Sequence, residues 1–132
     1  MRHFVIAATM IFFLFILWVI YMADVGASTV FFDLVKTLSF GDKIGHVVLF
    51  GLLTLGLNIS LNYRSLPIGS TSLLLGSCLV LAFAIIEELT QQLYPNRTFD
   101  IADLMADLAG ITLFSLISRL LQAGGIAAYC RN

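Results

Sequence analysis

Residues 4–22 read FVIAATMIFFLFILWVIYM, with no charge between His3 and Asp24. A helix of about 20 mostly apolar residues crosses a hydrocarbon core, and this run has that length. The rest of the chain has the same character. Of 132 residues, 60% are hydrophobic and 11% charged, with a mean hydropathy of +1.01. A soluble domain of this size is nearer half apolar and a quarter charged. Too few polar groups remain to cover a water-exposed surface, so the excess must face lipid. The sequence predicts a single integral membrane domain over residues 1–132.

Three further runs are long enough to span, at about 44–61, 71–94 and 101–121. The expected fold is an all-α, four-transmembrane-helix bundle. Val25-Gly26-Ala27 fits a signal-peptidase site, but an apolar run of about 19 residues exceeds the 7–15 of a signal segment, so a retained span is expected. Between the first two spans, Phe31, Phe32, Val35 and Leu38 share one helical face and Asp33, Lys36 and Thr37 lie away from it. That pattern reads as a short interfacial helix within 27–40, or as a loop folded over the bundle. Residues 62–70, with Pro67 and Gly69, read as an inner turn, and Pro95-Asn96 opens an outer one.

With the amino terminus inside, Arg2, Arg64, Arg119 and Arg131 fall on the inner side and Lys36, Lys43 and Arg97 on the outer. Arg2 and Arg64 flank their spans closely, where such charges count most. The expectation is a multi-pass protein with both termini cytoplasmic. All eight acids then share the outer side. Cys78 in the third span and Cys130 at the inner end are too far apart to bridge, and no zinc spacing of Cys or His occurs.

Functional side chains gather at the outer ends of spans two, three and four. Asp42 and His46 are four apart on one helical face, beside Lys43. Glu88 and Gln91 follow on the third span, adjoined by Glu87, with Arg97 in the turn. Asp100, Asp103 and Asp107 form a stripe along the fourth span. One carboxylate facing lipid costs on the order of 2.5–3.5 kcal/mol on insertion scales, so these groups must point into the bundle. Ala102, Ala106 and Gly110, and Gly41 and Gly45, form small-residue stripes suited to close helix approach.

One reading is mutual neutralisation, with Arg97 and Lys43 bracing carboxylates. Three chemical readings stand beside it. His46 with a carboxylate could act as general base while Arg97 and Lys43 grip a phosphate. Glu88, Asp103 and Asp107 could hold Ca²⁺ or Mg²⁺ through oxygen ligands. The acids could relay protons, although the inner halves of the spans carry no acid to continue the path.

Asp42-Lys43-Ile44-Gly45-His46 resembles the Asp-Lys-x-x-His opening of a span in the VanZ-like family of small bacterial membrane proteins. Glu88-x-x-Gln91-x-x-x-Pro95-x-Arg97, then Asp103-x-x-x-Asp107-x-x-Gly110, resembles that family's second motif. The likeness covers about residues 42–113. Asn96 stands where the family usually has Gly, as an Asn at positive φ allows. Asp107 stands where Asn is common, and Phe50 where Tyr is frequent. The resemblance implies a bacterial inner-membrane protein acting at the envelope. Its founding member is associated with glycopeptide resistance, and related families have been proposed to act on lipid-linked phosphates.

The expected function is therefore binding or processing of a phosphorylated lipid head group in an outer-leaflet pocket, with a membrane lipid or lipid-linked precursor as partner and no nucleic acid. Lys43, Gln91 and Arg97 would bind; His46, Asp42, Glu88, Asp103 and Asp107 would carry the chemistry. The alternatives are a non-enzymatic accessory protein of the envelope or of glycopeptide resistance, and a cation-binding or transport subunit.

Overall fold

The computed structural model describes residues 2–124. Cys130 and Arg131 lie outside the described residues. The apolar run at the start forms α1, Arg2–Asp24. Thr9 and Ile16 of this helix are buried and Phe12, Phe13 and Ile20 pack partly against the core, while Phe4, Met10, Ile11, Leu14, Trp18 and Tyr21 are exposed, a broad apolar outer face suited to lipid. A short α2, Val30–Thr37, is capped by the Thr29 hydroxyl, which accepts from the Phe32 N–H at 3.3 Å. Helix α3, Gly41–Ser60, follows at once. Its first residue is buried tightly under the Val35 carbonyl, where a Cβ would collide, and this seats α2 on the start of α3.

Residues 62–74 depart from expectation. Instead of a turn leading directly into a helix at residue 71, β1 (Ser65–Ile68) and β2 (Thr71–Leu74) pair antiparallel, Ser65 opposite Leu74 and Ile68 opposite Thr71. Gly69, at φ +60°, opens the two-residue turn between them, a conformation that suits glycine in tight hairpins. The fold is thus helical with one small hairpin rather than all-α. Helix α4 consequently begins at Leu75 and ends at Gln91, 17 residues in all. Helix α5, Ile101–Ala123, closes the described chain. Among the described residues, three helices, α1, α3 and α5, are long and apolar enough to cross a membrane.

Helix α3 is central and touches each of the other helices. Its most extensive partner is α5, which runs parallel to it. Gly110 makes that approach possible, since a Cβ there would meet the Val47 backbone. Ala106 is buried beside it, whereas Ala102 is exposed. Gly45, the expected counterpart on α3, meets no helix at all: nothing lies within 4 Å of where its Cβ would stand. The core joins Ile16, Phe50, Leu53, Val80, Ala84 and Ile111 from the four long helices.

A second buried cluster is polar and lies toward the hairpin end. Asn58 Nδ2 donates to Ser77 Oγ at 3.0 Å and to Ser118 Oγ at 3.2 Å. Ser77 shares a further hydrogen bond with Ser115 at 2.7 Å. These side chains tie α3 to α4 and α5, as hydrogen-bonding residues do between helices in lipid. Arg119 donates to the Ser72 carbonyl, fastening the hairpin to α5.

Candidate functional site

The helices place Asp42, Lys43, His46, Glu87, Glu88, Gln91, Arg97, Asp100, Asp103 and Asp107 at one end of the bundle, and two connected networks form there. The first joins α3 to α5. Lys43 Nζ reaches Asp100 at 2.7 Å, Asp42 at 3.3 Å, and Asp103 as well. Asp100 also caps α5, accepting from the Ala102 N–H at 2.9 Å. Donation from the Lys43 ammonium holds the Asp100 carboxyl below its usual 3.8. Lys43, expected to grip substrate, is therefore turned toward carboxylates.

His46 stands in the same seam. Its Nδ1 is 2.8 Å from Asp107 Oδ1, and its Nε2 is 3.9 Å from Asp103 Oδ2. The ring lies parallel to Phe50 at 5.9 Å between centroids. The imidazole is oriented by α5 and not by Asp42, its neighbour one turn away. A carboxylate on one ring nitrogen fixes the tautomer and the ring orientation.

The second network belongs to α4 and the loop after it. Glu88 Oε1 accepts the Asp100 N–H at 2.7 Å, placing a carboxylate at the positive end of α5. Gln91 Nε2 donates to both oxygens of Glu87 at 2.9 Å. Glu87 Oε1 is 3.6 Å from Arg97, beyond good hydrogen-bonding distance. Among the described residues, the Arg97 guanidinium makes no hydrogen bond. Two buried oxygens, Glu88 Oε2 and Asp107 Oδ2, also have no hydrogen-bond partner among the described residues. Asn96 does not adopt positive φ; its side-chain amide donates instead to the Asp24 carbonyl at 3.2 Å, tying this loop to the end of α1.

Between these networks and α1 lies a cleft of about 80 Å³. Asp42, His46, Glu87 and Arg97 form its polar wall, and Ile16, Ile20 and Leu49 face them. Phe32 and Val35 of α2 lie across it. It communicates with a wider opening of about 460 Å³ beneath α2, which shares Asp42 and Arg97. Gly45 lines the cleft and leaves it open. Gln91, Glu88, Asp103 and Asp107 stand behind the polar wall. The Phe31 side chain is not among those described.

Glu87 is the cleft residue that the motifs did not single out. Its signal was present in helical spacing: Val80, Ala84, Glu87 and Gln91 mark one buried stripe of α4. For a metal ion, the donors close enough to share one among the described residues are Asp42, His46 and Asp103, within 4.8 Å of one another, and not the expected set of Glu88, Asp103 and Asp107. Lys43 already bonds both of those aspartates. An ion would have to displace an ammonium to enter, and a hard cation would find only two carboxylates there.

No protein family, curated protein or solved structure matches this chain.

Proposed function

We propose that this chain is a VanZ-like protein of the bacterial inner membrane, a four-span bundle whose acidic end faces outward and whose cleft receives a phosphorylated lipid head group. Helix α4 would be the third of the four spans, its 17 residues lying at the short end of the spanning range of about 17–25. The observation that carries the reading is Arg97. It lines a cleft with an apolar facing wall, and among the described residues its guanidinium makes no hydrogen bond, only an ion pair with Glu87 at 3.6 Å. A planar guanidinium suits the oxygens of a phosphate.

His46, backed by Asp107 and Asp103, would move a proton to or from the bound group. Glu87, held by Gln91, would position Arg97. Lys43 would neutralise the aspartates behind the site and not touch the ligand. A cation-binding role rests on the Asp42, His46 and Asp103 donors alone, and Lys43 competes for them.

The test is binding and turnover of a prenyl phosphate by the chain in nanodiscs. Arg97→Ala weakens binding about tenfold or more, the scale of a lost charged hydrogen bond. Gly45→Leu, which fills the cleft without altering any charge, does the same. His46→Ala keeps binding and abolishes turnover if the cleft is catalytic. Equal binding by the native chain, Arg97→Ala and Gly45→Leu would end the proposal.

A further inference from the structure

The hairpin end of the bundle has a chemistry of its own. Leu75 N–H donates to the Arg64 carbonyl at 2.7 Å, and an antiparallel ladder alternates bonded with non-bonded pairs. Leu66 and Leu73 therefore form a bonded pair, and Pro67 and Ser72 a non-bonded one whose backbone atoms point to the outer edges. Pro67 has no N–H to offer on the edge of β1. On the edge of β2 the Ser72 carbonyl is already taken by Arg119. Both edges are blunted against the addition of another strand.

The two faces of the hairpin differ. Opposed residues share a face, and faces alternate along each strand. Ser65, Pro67, Ser72 and Leu74 lie on one face, and Leu74 is buried there. Leu66, Ile68, Thr71 and Leu73 lie on the other, where the three aliphatic side chains stand 41%, 50% and 47% exposed. Charge at this end has one sign. Arg64 precedes β1, Arg119 lies on α5, and Arg2 opens α1, whose Thr9 meets Ser60 of α3 at 3.3 Å. All three arginines are exposed, and all eight acids of the chain lie toward the opposite end. Among the described residues, Arg2 and Arg64 have no side-chain partner.

We infer that the hairpin docks on an anionic lipid surface, with Leu66, Ile68 and Leu73 in the head-group boundary and Arg64 and Arg2 on lipid phosphates. The inference needs α3 and α5 to cross the bilayer and is independent of what the cleft receives. Height supports it, because β1 begins at Ser65, directly after the turn that closes α3 at Ser60. The hairpin is thus held at the level where α3 leaves the hydrocarbon. Its outer-edge backbone groups need water, which keeps it in the interface and out of the acyl core. There an apolar face gains by leaving water, and arginines gain from anionic head groups.

Single tryptophans test this in nanodiscs containing lipids brominated near the top of the acyl chain. Trp18, the one native tryptophan, is first replaced by Trp18→Phe. Leu73→Trp and Leu66→Trp should then emit at short wavelength, be quenched by bromine and be shielded from acrylamide in the water. Free quenching by acrylamide and none by bromine at both positions overturns the inference. Short-wavelength emission that bromine leaves unchanged, and that disappears when each nanodisc holds one chain, overturns it in favour of a second copy.

The charge is read separately. Brominated phosphatidylglycerol should quench Leu73→Trp as though enriched about fivefold over brominated phosphatidylcholine, the scale of one arginine near an anionic surface. Arg2→Gln with Arg64→Gln should abolish that enrichment while quenching by brominated phosphatidylcholine persists. Equal quenching by the two lipids before those changes, or an enrichment that survives them, overturns the assignment of an anionic surface.

Discussion

Asp100 serves α5 in three ways at once. Its side chain caps the helix at Ala102, its N–H goes to Glu88, and its carboxylate accepts from Lys43. The last contact keeps its carboxyl below the usual value. A carboxyl depressed in the folded state stabilises the fold above its ordinary value, and that contribution is lost as pH falls through the folded value. Asp100→Asn keeps a good N-cap and removes the titration. The variant should melt below the native chain at neutral pH, and the difference should vanish in acid below the usual carboxylate range. A melting difference constant across pH would show that the Lys43 pair adds nothing. Residue identity was legible here before any coordinates, because Asp100, Asp103 and Asp107 had to face protein. Partner choice was not. Spacing put Asp42 beside His46, but the imidazole turned to Asp107, a contact set by how α5 packs on α3 and invisible within either helix.

At the scale of elements, the apolar runs located α1, α3 and α5 within a few residues, since length and hydropathy alone define a span. The third run misled. Thr71, Ser72, Leu73 and Leu74 are apolar enough to continue a helix backward from Leu75, yet Gly69-Ser70 reverses the chain and pairs them with 65–68. Periodicity cannot separate a short apolar strand from a helix segment; the Gly-Ser step was the available clue. The Asn58 cluster also escaped notice, because one Asn and scattered serines carry no motif. Their meaning appears only when three helices converge. Asn58→Ala should cost about 0.6–2 kcal/mol, the range for hydrogen bonds between helices in membranes, measured by reversible unfolding in mixed detergent micelles. Leu52→Ala, on the outward face of the same helix, should cost less. The reverse order would mean that apolar packing alone holds α3 to α4 and α5.

For the molecule as a whole, every ion pair named above lies at one end, and the hairpin with its Arg119 anchor lies at the other. That polarity follows if α4 carries the chain across the same distance as α3 and α5. It is short by itself, but the β-hairpin before it and the Gln92–Tyr94 turn after it can occupy the interfacial zones, where polar backbone is tolerated. The consequence is a definite sidedness. In a Cys78→Ser, Cys130→Ser background, Thr98→Cys samples the acidic end and Ser70→Cys the hairpin turn; both positions are exposed. In intact bacterial cells a membrane-impermeant maleimide should label Thr98→Cys, while Ser70→Cys should react only after permeabilisation. Labelling of both from outside, or of neither, would mean that α4 does not cross. The reverse pattern would keep four spans but put the cleft on the cytoplasmic face, where any lipid phosphate reaching Arg97 would come from the inner leaflet.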